Sequence, residues 1–259
     1  MNKSGSQASE FKIYVLSLFP DLISGALSHS ITGRAIAEDR VDLRLINIRD
    51  YGIGRYKKVD DRLYGGGTGM LMRADVLANC LEDLRAQGLN LESAARYYLS
   101  PRGRVFKQQE AKCWAAKKQD LVFLCGHYEG VDQRFLDYYD FEEISLGDFV
   151  LTGGEIAVAT MLDALIRLLP VVLPTRSAFE HESHYQAQLE EAQFTMPEKW
   201  RELEVPEVLR SGHHANIETY RAMNSLEVTM RQRPDLFDQI EFDEQTLADF
   251  SRYLLSKET

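Results

Sequence analysis

The stretch Leu121–Glu155 reads LVFLCGHYEGVDQRFLDYYDFEEISLGDFVLTGGE. Its two apolar runs, Leu121–Cys125 and Phe149–Leu151, each lead directly into glycines, and both predict short buried strands that end in glycine turns. Glycine lets a ligand approach backbone N–H and C=O groups without meeting a Cβ atom. Because open α/β sheets bind ligands at the carboxyl ends of their strands, we predict here a small-molecule pocket built mostly from backbone.

Three carboxylates lie at these turns, on Glu129, Asp148 and Glu155. For any single glycine turn, an ordinary connection between a strand and a helix is the alternative interpretation. Two turns that bracket carboxylates favour a binding site. The chain has no G-x-G-x-x-G after a strand, and its glycine-rich run Tyr64–Met70 lacks the lysine of a phosphate-binding loop, so dinucleotide binding and nucleotide hydrolysis are disfavoured.

Strands alternate with helices along the first two thirds of the chain. Apolar runs predict further strands at Phe11–Phe19, Leu43–Ile48 and Tyr97–Leu99. Helical spacing of apolar residues predicts helices from Pro20 onward and over Ala74–Arg85, Phe106–Ala116 and Glu155–Leu169. This alternation predicts an α/β fold with a mainly parallel sheet flanked by helices.

Composition along the chain predicts four parts. Residues 1–10 are small and polar, which predicts a disordered tail, and residues 11–172 form the α/β domain. Residues 173–196 mix histidines, glutamates and glutamines without clean periodicity, which predicts a flexible linker or lid. Over residues 197–259 apolar side chains recur at helical spacing, beginning with Trp200 and Leu203, which predicts a small all-helical domain.

Charge and length exclude some classes of protein. No apolar run approaches the length that spans a bilayer, and three widely spaced cysteines fit reduced thiols in the cytoplasm. The net charge of −10 argues against non-specific nucleic-acid binding. A local cluster of cations and tyrosines suits a single-stranded RNA loop, with a solvated basic loop as the alternative; it comprises Arg49, Tyr51, Arg55, Tyr56, Lys57, Lys58, Arg62 and Tyr64.

A series of motifs carries a resemblance to a known family. The motifs are Ser17–Pro20, Thr32–Ala35, Val59–Arg62, Tyr64–Met70, Tyr98–Pro101, Cys125–Gly130, Gly147–Glu155, Val205–Pro206 and Ser211–His214. In this order, across nearly the whole chain, they resemble the bacterial tRNA (guanine-N1)-methyltransferases of the TrmD family, which belong to the knotted SPOUT class.

The resemblance implies a fold, a cofactor and partners. It implies a trefoil-knotted sheet in a homodimer, with S-adenosylmethionine as the methyl donor, a magnesium requirement, and the anticodon stem-loop of tRNA as the partner. The methyl acceptor would be N1 of the guanosine immediately 3′ of the anticodon. The implied cofactor-binding residues are Tyr98, Leu99, Ser100, Pro101, Gly126, Leu146, Gly147, Asp148, Phe149, Val150, Leu151, Gly153 and Gly154.

The resemblance also implies residues that bind and activate the substrate. Those that face the RNA would be Tyr128, Glu129, Asp60, Gly67, Gly69, Met70, Ser211 and His213. Arg167 matches the family arginine that faces guanine O6, with capping of a helix end as its alternative role. Because guanine N1 carries a proton at neutral pH, methylation also needs a general base.

The general base is where this chain departs from the family. The family carries an aspartate in the linker, and Glu182 occupies that position here, with His181 and His184 as rival bases. The segment Phe194–Pro197 also lacks the family arginine, because Met196 stands there. The histidine spacing matches neither H-E-x-x-H nor a Cys/His pattern, so no structural metal site is expected.

Two other functions remain open at this point. The altered linker fits a knotted RNA-binding protein that has lost its general base. The same fold could also methylate another RNA position. The motifs Tyr64–Met70 and Cys125–Gly130 favour the tRNA methyltransferase over both.

Overall fold

The computed structural model describes residues 11–169, 172, 182–185 and 188–257. They fall into two compact units, the first ending at residue 175 and the second beginning at residue 176. The predicted disordered tail, residues 1–10, lies outside the described residues, as do residues 173–181, 186 and 187 of the predicted linker.

A five-stranded parallel sheet forms the centre of the first unit. The strands of this unit are β1 (Lys12–Ser17), β2 (Asp42–Asn47), β3 (Asp60–Arg62), β4 (Met70–Met72), β5 (Ala95–Val105), β6 (Leu121–Cys125) and β7 (Glu142–Ser145). The helices are α1 (Pro20–Leu27), α2 (Ser30–Ala37), α3 (Ala74–Ala86), α4 (Gln108–Lys117), α5 (Gln133–Tyr138) and α6 (Glu155–Ile166). The sheet order is β2-β1-β6-β5-β7, and β3 and β4 form a separate antiparallel pair. The predicted α/β fold with a parallel sheet flanked by helices is confirmed.

Side chains of the central strands alternate between two apolar clusters. Ile13 and Val15 of β1 belong to one cluster, which includes residues of α1, α4 and α6. Tyr14 and Leu16 belong to the other, which includes residues of α3 and α5. A strand covered by helices on both faces reads as a continuous apolar run, which is why Leu121–Cys125 contains no charged residue. Because β1, β6 and β5 are parallel, the carboxyl ends of β1 and β6 lie at the level of Leu99 in the middle of β5.

One predicted strand, Phe149–Leu151, is wrong. These residues lie in the loop between β7 and α6, and their side chains are exposed. The strand at the sheet edge is instead β7, which was not predicted. Its sequence, Glu-Glu-Ile-Ser, carries two carboxylates and lacks an apolar run, because an edge strand is open to solvent on one side.

The second unit contains a short hairpin followed by helices. Its elements are β8 (Lys199–Trp200), β9 (Leu203–Glu204), α7 (Glu207–Arg210), α8 (His214–Gln232), α9 (Pro234–Phe237) and α10 (Glu244–Leu255). The prediction of an all-helical segment is therefore wrong at its start. Trp200 and Leu203, whose three-residue spacing also fits a helix, are paired across the antiparallel hairpin. Among the described residues, no helix is long and apolar enough to cross a membrane.

A buried carboxylate joins α8 to α10 in the second unit. Glu227 on α8 is only 4% exposed. Its Oε2 accepts a 2.9 Å hydrogen bond from the Tyr253 hydroxyl and pairs with the Lys257 ammonium, while its Oε1 pairs with Arg231 at 2.9 Å. Burial alone would raise the pKa of Glu227, but the hydrogen bonds from Lys257 and Tyr253 outweigh burial and lower it.

We predict that Glu227→Gln destabilises the second unit by about 1–3 kcal/mol at pH 7, because it weakens charge-assisted hydrogen bonds in a buried place. Because the pKa of Glu227 is lower in the folded state, its ionised carboxylate contributes all of its stabilisation at pH values above the unfolded pKa of about 4.3. The contribution is lost as the pH falls through the pKa of the folded state. Hydrogen–deuterium exchange of α8 and α10 measures the effect. Glu218→Gln is the matched control, because Glu218 is exposed on the same helix. Equal exchange in the two variants would contradict the prediction.

Candidate active site

A cavity of about 320 Å³ lies at the carboxyl ends of β6 and β7, between the middle of β5 and the first turn of α6. We call it the glycine-lined cavity. It is lined by Tyr98, Leu99, Ser100, Pro101, Gly126, His127, Tyr128, Glu129, Gly130, Ile144, Ser145, Leu146, Phe149, Val150, Leu151, Thr152, Gly153, Gly154 and Ala157. Its volume falls at the lower end of the range of small-molecule sites. The predicted pocket therefore corresponds to a cavity in the structure.

Two glycines permit close packing at the base of this cavity. A Cβ atom on Gly154 would lie 2.8 Å from Cys125 Cα and 3.0 Å from Leu99 Cβ. A Cβ atom on Gly126 would lie 2.8 Å from the Tyr98 ring. The two 2.8 Å distances are shorter than those that Cβ atoms show to other heavy atoms, so a side chain at either position would force its neighbour to shift. The backbone of β5, β6 and the α6 turn therefore comes together without intervening side chains.

The loop between β7 and α6 gives the cavity an apolar rim. Phe149, Val150 and Leu151 are exposed by 53%, 83% and 41%. The Ser145 hydroxyl shapes the loop, because it donates to Gly147 O at 2.9 Å and accepts from Gly147 N at 3.1 Å. Exposed apolar side chains beside a cavity are typical of surfaces that a ligand covers. Within the predicted cofactor set, Gly147 and Asp148 lie in this loop but are not lining residues.

The segment after β6 carries strained backbone at the mouth of the cavity. Tyr128 has a φ of 59°, a left-handed conformation that is uncommon for a residue with a side chain. Its N–H is 3.1 Å from His127 Nδ1, and the His127 ring packs on Phe19 with centroids 5.0 Å apart. Backbone strain of this kind clusters at functional sites. The side chains of Tyr128 and Glu129 are exposed at this mouth.

A backbone hydrogen bond joins strand β4 to the segment His127–Gly130 that follows β6. Glu129 N donates to Met70 O at 3.0 Å, and a Cβ atom on Gly69 would lie 2.5 Å from Glu129 Cγ. The structure thus brings Gly69 and Met70 to Glu129, as expected for residues of one site. Asp60 lies on β3, where it is paired with Met72 of β4 in the antiparallel ladder. Gly67 is exposed between β3 and β4 with a φ of 117°.

Glu155 supports the second glycine turn from inside the protein. Its carboxylate is 2% exposed, and its Oε1 accepts a 2.7 Å hydrogen bond from the Ser17 hydroxyl. Its position in the first turn of α6 favours a negative charge. A Cβ atom on Gly153 would lie 2.4 Å from Glu155 Oε2, so the turn packs directly on this carboxylate.

Neither titratable residue nearest the cavity floor is suited to proton transfer. Burial raises the pKa of the Cys125 thiol well above its usual range, and burial also raises the pKa of Tyr98. A neutral buried thiol is a poor nucleophile. The floor of the cavity therefore offers shape and backbone groups, and reactive groups must come from its mouth or from elsewhere.

Comparison with known proteins decides the family. A family model described as tRNA (Guanine-1)-methyltransferase TrmD matches residues 11–239. The chain belongs to the TrmD family. It is 46% identical to "tRNA (guanine-N(1)-)-methyltransferase" of Clostridium beijerinckii over 229 residues, which cover 88% of this chain and 93% of the relative. It is 44% identical to the protein of the same name from Clostridium botulinum strain Langeland over 246 residues, which cover 94% of this chain and all of the relative.

The catalytic residues that the TrmD resemblance implies are not among the residues that line the cavity. Arg167 is half-buried at the carboxyl end of α6, whereas the cavity touches the amino end of that helix. Glu182 is half-buried in the second unit, which also contains the exposed residues Ser211 and His213. His184 is exposed in that unit, and His181 lies outside the described residues. The roles of these residues stay predictions.

Six lining residues were not among the site residues predicted from the sequence: His127, Gly130, Ile144, Ser145, Thr152 and Ala157. His127 and Gly130 belong to the motif Cys125–Gly130 that carried the TrmD resemblance, so the motif itself contained their signal. Ile144 and Ser145 belong to β7, which has no clear sequence pattern. Among the described residues, no group of three or more His, Cys, Asp or Glu side chains could hold a metal ion.

We predict that Gly154→Ala abolishes ligand binding in the cavity, because the added Cβ would overlap the Cys125 backbone and force α6 away from β6. Isothermal titration with S-adenosylmethionine measures the loss, expected to exceed tenfold in Kd. Gly25→Ala is the control, since nothing lies within 4 Å of a Cβ placed there. Unchanged affinity in a folded Gly154→Ala protein would show that the ligand binds elsewhere.

Proposed function

We propose that this TrmD-family chain transfers the methyl group of S-adenosylmethionine to N1 of the guanosine immediately 3′ of the anticodon in tRNA. The observation that carries the proposal is the glycine-lined cavity, which is built from the family motifs Tyr98–Pro101, Cys125–Gly130 and Gly147–Glu155. Family membership supplies the reaction class, and the cavity supplies a place for the methyl donor.

S-adenosylmethionine fits the residues that line this cavity. Gly126, Gly153 and Gly154 leave backbone N–H and C=O groups accessible to the polar edges of an adenosine. The apolar rim of Phe149, Val150 and Leu151 can cover its ring. When bound, the sulfonium supplies an electrophilic methyl group. The chain then has to exclude water and hold the acceptor nitrogen in line with that methyl.

The mouth of the cavity suits the guanine. Glu129 can accept hydrogen bonds from guanine N–H groups, and Tyr128 offers a ring beside it. Both are fixed from the backbone, since Glu129 N is bonded to Met70 O and Tyr128 is held in its left-handed conformation. The neighbouring residues Asp60, Gly67, Gly69 and Met70, together with Ser211 and His213, complete the proposed RNA-facing set.

Two charged side chains would carry the proton chemistry. Glu182 would remove the N1 proton as general base, because it stands where the family has an aspartate and has the same carboxylate chemistry. Arg167 would stabilise the negative charge that develops at guanine O6. The added methylene of a glutamate shifts the carboxylate by about 1 Å, a displacement that a movable segment can absorb and a rigid one cannot.

The position of Arg167 supports a homodimer. The cavity reaches Ala157 on α6, and Arg167 lies ten residues farther along the chain, which corresponds to about 15 Å of helix. This length exceeds the reach of an arginine side chain. We propose that Arg167 acts at the cavity of a second copy of the chain, so that a complete site needs two protomers.

The remaining proposals rest on the family. They are a trefoil-knotted domain over residues 11–172, a linker over 173–196, a tRNA-binding domain over 197–259 and a cytoplasmic location, which three free cysteines fit. Tyr56 and Tyr64, exposed by 88% and 98% among the cations of the β2–β4 region, suit contact with the anticodon loop. A magnesium requirement is also implied, but the described residues contain no metal-binding cluster, and we derive no step through the metal.

We predict that Glu182→Gln lowers the single-turnover rate of methyl transfer by roughly a hundredfold or more and leaves S-adenosylmethionine binding intact, because an amide cannot accept the N1 proton. Glu182→Asp is expected to retain activity, since it restores the family residue. Glu218→Gln, which removes an exposed carboxylate elsewhere in the second unit, is the control. A fully active Glu182→Gln would move the base to His181, His184 or another group.

Mixed dimers test where Arg167 acts. We predict that Arg167→Ala and Gly154→Ala homodimers are each inactive. A heterodimer of the two is expected to recover activity, because the intact cavity of the first chain receives Arg167 from the second. Methyl transfer after co-expression and tandem-tag purification measures the recovery. An inactive heterodimer would show that Arg167 serves the cavity of its own chain.

A further inference from the structure

The hairpin β8–β9 exposes an aromatic side chain. Trp200 is 57% exposed, and its hairpin partner Leu203 is 68% exposed. Tryptophan is the largest apolar side chain, and leaving it in water on a two-residue strand gives up the free energy of burial. An exposed tryptophan on a short hairpin is therefore typical of a surface where a binding partner covers the indole ring.

A cation lies over this ring. The guanidinium carbon of Arg201 is 4.6 Å from the Trp200 ring centroid, close enough for a cation–π contact. Arg201 has a φ of 56°, so the hairpin turn holds a side-chain-bearing residue in the left-handed region where glycine or asparagine is usual. The backbone is therefore strained at Arg201, the residue whose guanidinium lies over the Trp200 ring.

Arg201 differs from the other cations near it. Lys199 is paired with Glu204 at 3.1 Å, and Arg210 is paired with Glu198. Within the described part of the chain, no carboxylate is paired with Arg201, and its guanidinium lies over the Trp200 ring. The paired cations hold the hairpin to its base, whereas Arg201 keeps its N–H donors for another partner.

The hairpin is held firmly enough to present these two side chains. Val205 N donates to Glu198 O at 2.9 Å, which extends the ladder beyond β8 and β9. The ion pair between Arg210 and Glu198 ties the hairpin to α7. Helix α7 leads directly into Ser211 and His213, the exposed residues proposed to face the RNA. The hairpin that carries Trp200 is thus connected through α7 to Ser211 and His213, which are proposed to face the RNA.

We propose that Trp200 and Arg201 form a stacking platform for one unpaired nucleobase of the RNA substrate. This inference rests on the proposed function, in which the substrate is tRNA. Single-stranded bases of RNA are recognised by stacking on aromatic rings and on arginine guanidinium planes. Stacking also suits a chain with a net charge of −10, because it adds affinity without requiring a positive surface.

The chain offers a direct optical test. It has two tryptophans, and Trp114 is 4% exposed in the core of the first unit. Quenching of fluorescence by RNA therefore reports on Trp200. We expect an unmodified tRNA transcript with unpaired loop bases to quench the parent protein, and we expect no quenching in Trp200→Phe. A fully paired RNA duplex should leave the parent emission unchanged.

Affinity separates stacking from mere apolar contact. Trp200→Leu keeps an apolar side chain but removes the planar ring, and we expect Kd for tRNA to rise roughly tenfold. Trp200→Phe should stay within about threefold of the parent. Leu203→Ala, on the partner strand, is the matched control and should bind as the parent does. The Kd of Trp200→Leu divided by that of the parent should be the same at about 50 and about 200 mM KCl, because stacking releases no counterions.

The outcomes distinguish this inference from the proposed function. If the parent methylates tRNA while Trp200→Leu binds and turns over as the parent does, the platform is wrong and the methyltransferase stands. If tRNA quenches Trp200 but is not methylated, the platform stands and the proposed reaction fails. If iodide cannot reach Trp200 in the protein without RNA, another protein surface covers the ring and the platform is wrong.

Discussion

The close approach of α6 to the end of β6, at Gly154 and Cys125, is the contact on which the cavity depends. It brings the first turn of a helix onto the backbone of a central strand without side chains between them. The carboxyl ends of β6 and β7 and the middle of β5 then surround a space that backbone groups line. Glu155, bonded to Ser17 inside the protein, holds the turn at this place. The apolar rim and the strained Tyr128 segment are built on this base.

The arrangement separates binding from proton chemistry. The residues proposed to hold S-adenosylmethionine act largely through backbone and lie in one compact unit. Neither of the side chains proposed to carry the proton chemistry lines the cavity, because Arg167 follows the carboxyl end of α6 and Glu182 belongs to the second unit. In the proposed division, a change of the general base from aspartate to glutamate leaves the proposed cofactor site untouched. Under the proposal that Arg167 acts at the cavity of a second copy, activity requires the assembly of two protomers.

Much of the fold could be predicted because its strands are buried on both faces. Leu121–Cys125 was predicted with the observed bounds, since a continuous apolar run between Asp120 and Gly126 has few other interpretations. Phe149–Leu151 was misread for the same reason, because apolarity alone does not distinguish a core strand from a ligand-facing loop. The hairpin at Trp200 and Leu203 was missed because a three-residue spacing fits both a helix and a tight hairpin. The cavity residues Ile144 and Ser145 were missed because the edge strand β7 has no apolar pattern.

The most direct test of the account is to locate the transferred methyl group. The protein is incubated with S-adenosylmethionine and an unmodified tRNA transcript, and the modified nucleotide is mapped by mass spectrometry of RNA fragments. The account predicts 1-methylguanosine immediately 3′ of the anticodon, and no product when adenosine replaces that guanosine. Methylation at another nucleotide, or none from folded protein that binds the cofactor, would contradict it.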